Sequence, residues 1–198
     1  MESVKIVGAG TIQGGEYDEV KIAGSGKILG DVTCNEFKSA GSAVIEKSLT
    51  AKEFKSSGAI KISGKLKVDD GKIAGAGKIL GDVEANTLEI HGSLVVDGDI
   101  NAEEFIGKLG SGSFNNIYGE TIMINTKGQF IGGYFHDVIT NVKIKEIEAT
   151  TICLRDVDAK RVSGENVTIE SGCTVEIVEY SNILNIAKNA EVKTIIKI

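Results

Sequence analysis

Five glycines stand 17 residues apart, at Gly24, Gly41, Gly58, Gly75 and Gly92. Other columns keep the same step. They read Ile28, Ile45, Ile62, Ile79, Val96; then Val32, Leu49, Leu66, Val83, Ile100; then Cys34, Ala51, Val68, Ala85, Ala102. A period held without insertions means one supersecondary unit stacked on copies of itself. Within Asp18–Asn35, apolar Val20, Ile22, Ile28, Val32 and Cys34 are separated by charged or small residues. Period-2 alternation marks short strands with one face inward. Gly24, Gly26 and Gly30 interrupt it where the chain has to bend.

One such coil is not stable alone. About six inward side chains contribute roughly 1.5–3 kcal/mol each. Ordering the backbone costs roughly 1–2 kcal/mol per residue. The peptide groups also need neighbours along the coil axis. Stacking at about 4.8 Å supplies both ladder bonds and a continuous core. The sequence therefore predicts an all-β fold, a single-stranded parallel β-helix (β-solenoid) with 17 residues per coil. Its length allows about 11 or 12 coils, a rod of roughly 50–55 Å. The chain has no proline, which would remove a ladder donor from any coil it entered. One repeat class over 198 residues predicts a single domain, 1–198.

The closest internal match is Lys21–Val32 (KIAGSGKILGDV) with Lys72–Val83 (KIAGAGKILGDV), three coils apart. Val4–Gly14 is a weaker copy on a 16-residue step, so the regular block spans 4–106. Register blurs over 107–141, around Phe105, Phe114, Tyr118, Phe130, Tyr134 and Phe135. These aromatics either fill wider coils or, across Phe114–Phe135, form a lateral surface for other proteins. Order returns over 142–198. There Val167, Ile169, Gly172, Val175 and Val178 match Leu184, Ile186, Asn189, Val192 and Ile195, and Asn189 is expected to take a left-handed corner.

Glu19, Glu36, Glu53 and Asp70 form an outward acidic column beside Lys21, Lys38, Lys55 and Lys72. The acids neutralise the lysine stripe and the net charge is −6, which argues against nucleic acid as a partner. Gly-Asp pairs at 30–31, 81–82 and 98–99 resemble calcium-binding turns, but Lys47-Ser48 and Gly64-Lys65 break the ligand ladder, leaving turn chemistry. Cys34, Cys153 and Cys173 are odd in number and widely spaced, so neither a disulfide frame nor a zinc site is expected. No metal, nucleotide or other cofactor is expected. His91 and His136 have no nucleophile or carboxylate constellation beside them in the sequence. Arg155 and Arg161 stand outside any visible acidic cluster. No signal-peptide pattern and no apolar run of membrane-spanning length is present, so a reducing cytoplasmic location is expected.

The runs GKILGDV (Gly26–Val32), GKILGDVEA (Gly77–Ala85) and LEIHGSLVVDGDINAEEF (Leu88–Phe105) resemble bactofilins. The family pattern, apolar-x-Gly-x-apolar-x-Gly-Asp-apolar-x-Ala, is met at Ile22–Cys34 (with Cys for the last Ala), Ile73–Ala85 and Ile90–Ala102. The resemblance covers residues 20–106 well and the rest loosely. It implies a right-handed β-helix and a bacterial cytoskeletal protein that polymerises without nucleotide. Bactofilins usually have about half as many coils, flanked by proline-rich tails, and neither feature is met here. Their membrane-binding N-terminal segment is apolar or basic, whereas Met1-Glu2-Ser3 is short and acidic. Association with a membrane is therefore in question.

A solenoid has two open ends, each with unpaired backbone groups and a bare core section. Solenoids that stay monomeric carry polar caps. Apolar alternation here starts at Val4 and runs through Ile195-Ile196-Lys197-Ile198. The expected function is structural and non-enzymatic, self-assembly through the terminal coils. Val4 and Ile6 would serve at one end, and Leu184, Ile186, Val192 and Ile195 at the other. The alternatives are a scaffold that recruits partners along its side and a carbohydrate-active enzyme. The enzyme is disfavoured because an unbroken 17-residue step leaves no room for loops around a groove.

Overall fold

The computed structural model describes residues 2–125 and 142–198, and between them the backbone of two short strands. In chain order the strands are β1 (Glu2–Ile12), β2 (Gly15–Ile28), β3 (Val32–Ile45), β4 (Leu49–Ile62), β5 (Leu66–Ile79), β6 (Val83–Val96) and β7 (Ile100–Asn125). They continue as β8 (Phe130–Ile131), β9 (Tyr134–Phe135), β10 (Val142–Arg155), β11 (Val157–Ile169), β12 (Thr174–Ile186) and β13 (Glu191–Lys197). Eleven of them pair in chain order into one parallel sheet, and β8 pairs only with β9. The fold is a parallel β-solenoid in which each coil hydrogen-bonds to the coils before and after it.

Each coil has three short walls with two inward residues apiece. In β3 these are Val32 and Cys34, then Phe37 and Ser39, then Ala43 and Ile45, with outward residues at the corners between. The pattern follows from strand alternation broken wherever the chain turns. The columns Ile28–Val96 and Val32–Ile100 are buried throughout, stacked in register from coil to coil.

The corner after the second wall requires glycine for two reasons. At Gly41, φ is +120°, a region that side chains avoid. A Cβ there would also lie 2.3 Å from the carbonyl oxygen of Gly24 in the coil before. Gly58, Gly75 and Gly92 repeat the arrangement on their own predecessors. The corner after the third wall is fastened differently. Asp31 Oδ1 accepts the backbone N–H of Ser48 at 2.9 Å, Ser48 Oγ accepts that of Lys65 at 3.1 Å, and Asp82 Oδ1 accepts that of Asp99 at 3.3 Å. The Gly-Asp pairs thus act in turns, each tied to the equivalent turn one coil on.

Core volume is shared between columns. A Cβ at Gly26 would meet Ile22 at 2.7 Å, and one at Gly77 would meet Leu94 at 2.7 Å, so neighbouring side chains fill the glycine space. Where the second wall carries Ser39 and Ser56, the third carries Ala43 and Ile60, and Phe37 stacks on Phe54 with centroids 5.6 Å apart. The two serine hydroxyls are buried and bond each other at 2.9 Å. Large and small residues are therefore exchanged at near-constant filling, as close packing demands.

The middle and C-terminal coils depart from the 17-residue step. Gly110 is an extra residue beside the glycine column, and Leu109 turns inward over Gly107. Phe105 and Phe114 are buried edge to face at 6.1 Å, so these two fill the coil. The chain leaves the second wall at Ile124 and re-enters the third at Val142. Phe130, Tyr134 and Phe135, expected on irregular coils, lie instead on the antiparallel pair β8–β9 within this interval. Between β10 and β11 the step is 15, as in Val142↔Val157 and Ile152↔Val167. Inward residues there recur every five positions: Val142, Ile147, Ile152, Val157, Val162, Val167. The two missing residues come from the corners, which shorten while the walls keep their length. The step lengthens again to 17 at Val167↔Leu184 and Ile169↔Ile186. Asn189 does not take a left-handed corner. Gly172 does, at φ +73°, and Asp156, at φ 54°, is the non-glycine residue that does so among the described residues.

Outward charges pair within and between coils. Lys21 meets Glu19 at 2.5 Å, Lys55 meets Glu53 at 3.1 Å, and Lys38 meets Glu36. Lys65, Lys67 and Lys72 reach forward one coil to Asp82, Glu84 and Glu89, each at 2.8 Å. Hydrogen bonds from these lysines hold the carboxyls of Glu36, Asp82, Glu84 and Glu89 below their ordinary range.

Two outcomes are expected. Gly58→Ala combines a forbidden φ with a carbonyl clash and should cost at least about 2 kcal/mol in chemical denaturation; an unchanged midpoint would contradict the corner geometry. The depressed carboxyls contribute stability at neutral pH that is lost as pH falls through their folded values. The denaturation midpoint should therefore decline below about pH 4.5. A midpoint that stays flat down to acid would show that the charge ladders do not stabilise the native state.

Candidate functional site

The side of the rod offers few reactive groups. All three cysteines are free thiols. Burial pushes the Cys34 and Cys173 thiols up to about 11, so they stay protonated and unreactive at neutral pH. His91 Nε2 bonds Glu89, and His136 lies outside the described residues. The arginines do meet carboxylates. Arg161 bridges Glu146 in one neighbouring coil and Glu179 in the other, and Arg155 meets Glu170 at 2.5 Å. The 15-residue step that aligns Arg161 with Glu146 and Arg155 with Glu170 was hidden behind the 17-residue one. These pairs clamp consecutive coils. Among the described residues, no group of three His, Cys, Asp or Glu is placed to hold a metal ion, and no helix is long and apolar enough to cross a membrane.

A shallow depression of about 310 Å³ lies on the third wall of the C-terminal half, where Lys143, Lys145 and Lys160 stand with Asp158 and Glu176. Of the aromatic stretch Phe114–Phe135, Phe114 is buried beneath this depression and Tyr118 is half-exposed. The side chains of Phe130, Tyr134 and Phe135 lie outside the described residues.

The C-terminal coil is different in kind. Leu184 and Ile186 continue the inward columns of Val167 and Ile169, and Val192 and Ile195 continue those of Val175 and Val178. The earlier members are fully buried, whereas Ile186 is 38% exposed and Ile195 52%. Leu184 and Val192 are half-buried. Strand β13 covers β12 from Thr174 to Tyr180, and no described strand covers residues 182–186. The core section is therefore open there, with inward positions and a strand edge exposed together. Ile183, Ile196 and Ile198 widen the apolar surface at 50%, 40% and 67% exposure. The last of these was visible in the sequence only as an apolar run, because its place follows from the neighbouring coil. Lys197 Nζ sits 5.8 Å from the centroid of the Tyr180 ring, a cation–π contact.

The N-terminal coil is smoother. Val4 and Ile12 are half-buried. Ile6, expected to be open, is only 6% exposed. Its side chain lies along its own coil, 2.9 Å from where a Cβ on Gly10 would stand, and so fills the glycine space. Tyr17 is half-buried and donates its hydroxyl to the Gln13 carbonyl at 3.1 Å. One end thus presents bulky isoleucines, and the other presents Gly8, Gly10, Gly14 and Gly15 around a small apolar section.

No family model matches this chain, and no curated protein or solved structure is significantly similar to it.

Proposed function

We propose that this protein is a structural, self-associating β-solenoid that assembles through its end coils without nucleotide or catalysis. The observation that carries the proposal is the open C-terminal coil, where no described strand covers core-column residues Leu184, Ile186, Val192 and Ile195. Contiguous exposed apolar surface marks an interaction site, and an uncovered strand edge adds backbone donors and acceptors to it. The parallel solenoid is compatible with the bactofilin resemblance, which implies the same behaviour. A partner-recruiting scaffold is the second reading, favoured by the lysine-rimmed depression over Phe114 and Ile144.

Placing charge in the open coil, as Ile186→Asp or Ile195→Lys, should abolish assembly while far-UV circular dichroism stays near that of the parent, because coil stability is mostly nearest-neighbour. Lys55→Glu, on the side, should leave assembly intact. Sedimentation and electron microscopy read the outcome. End variants that polymerise like the parent, with side variants that do not, would mean lateral contacts and would exclude end-to-end assembly.

A further inference from the structure

Charges on the third wall are paired differently in the two halves of the rod. In the N-terminal half, Lys27 and Lys78 each cross the wall to an acid one coil on, Glu46 at 2.6 Å and Asp97 at 3.9 Å. Both lysines directly precede a member of the inward column, Ile28 and Ile79, and both acids directly follow one, Ile45 and Val96. That inward column continues through Phe114 and Ile144 to Ala159. Lys143 therefore occupies the place of Lys27 and Lys78, and one coil on, the place of Glu46 and Asp97 is taken by Lys160. Lys145, beside Lys160 in the same outward column, adds a further cation. Among the described residues none of these three lysines forms an ion pair, whereas Lys193 meets Glu176 at 3.6 Å.

The three lysines rim the depression of about 310 Å³, whose floor is Phe114, Ile144 and Ala159. Its four lysines outnumber Asp158 and Glu176 by two, on a chain of net charge −6. The groove runs along the rod from Ser113 to Lys193, four coil steps or about 19 Å, the length of about six residues of extended chain. Its volume lies at the lower end for ligand sites, enough for the side chains of one segment and too small for a folded domain. The strands of this wall from β7 to β12 are paired on both sides, so no backbone edge is free and side chains make the contact.

We propose that this groove docks an extended acidic segment of a partner protein, with an apolar side chain between carboxylates lying on the floor. The carboxylates would pair with Lys143, Lys145 and Lys160, as Glu46 and Asp97 do with their own lysines. Complementary charge fixes which partner is admitted and in what register. Asp158 and Glu176 on the same rim disfavour a polyphosphate, whether nucleic acid or lipid headgroups, and can accept the N–H groups of a peptide. Docking of this kind rests on the partner-recruiting reading and is independent of assembly through the ends.

Fluorescence anisotropy of a labelled, capped pentapeptide alternating glutamate with leucine, titrated with the full chain, reads the docking. Saturable binding is expected. It should be at least tenfold weaker with lysine in place of glutamate, and likewise with serine in place of leucine. Lys160→Glu puts an acid back across from Lys143 and should weaken binding at least tenfold. Lys145→Gln should weaken it several-fold, and Lys55→Glu, on the second wall, should leave it unchanged. Far-UV circular dichroism of each variant should match the parent, as expected of surface substitutions. Equal binding of the serine peptide would reduce the effect to bare charge attraction and overturn the groove, and equal binding by Lys160→Glu would place the peptide elsewhere and overturn it too. If the peptide fails while phosphatidylglycerol vesicles or a single-stranded oligonucleotide bind at these lysines, the acidic segment is overturned and recruitment through this face stands. If no probe binds, recruitment through this face falls with it.

Discussion

Every wall of every coil depends on hydrogen bonds that run along the rod axis, from one coil to the next. Parallel ladders of this kind cannot be satisfied within a coil, because its peptide groups point up and down and not across. The demand propagates outward to everything else. Residues at one position must stack at about 4.8 Å, so a column has to tolerate its own repetition. Isoleucine, valine and leucine do so in the core. Glycine does so at the second corner, where Gly41 stands directly over the Gly24 carbonyl. Charges do so on the outside only by pairing, as Lys67 with Glu84 and Arg161 with both its neighbours.

The same constraint sets what can vary. Walls keep two inward residues each, while corners gain or lose residues freely. The step is 17 where corners carry the glycine and Gly-Asp turns, and 15 between β10 and β11 where they do not. An interval of chain between Asn125 and Val142 is accommodated at a corner without breaking the ladder, since β10 pairs straight onto β7. Column volume is conserved across walls and not within one position. Ile22 covers Gly26, Leu88 reaches the space beside Gly71, and Phe37 accompanies Ser39. Close packing of interiors accounts for that exchange.

The proposed self-association draws on the place where the described ladder stops. Along the rod many outward charges pair, some within a coil, as Lys55 with Glu53, and others with the next coil, as Lys67 with Glu84. At the C-terminal coil no described strand covers residues 182–186, and the core columns emerge on the surface as Ile186 and Ile195. The physics that stacks coil on coil inside the molecule is then available between molecules. Self-association, as proposed, would extend the rod's own fold without a separate binding device.

The sequence alone determined the solenoid, the 17-residue step of the first half and the inward columns, including those that carry Leu184, Ile186, Val192 and Ile195. All of these follow from alternation and repetition, which are local and survive in a single chain read as text. The tertiary structure decided the rest. The five-residue sub-period of β10–β11 was masked because the series through Leu154 and Ile169 also passes through the small residues Ala149, Ala159 and Gly164. The left-handed corner went to Gly172 and Asp156 and not to Asn189, although Asn189 stands as far from its walls as Gly172 does. Ile6 is covered although it is an apolar end residue, because its side chain fills the space beside Gly10. Spacing states which residues share a column, but only the neighbouring coil decides what each one touches.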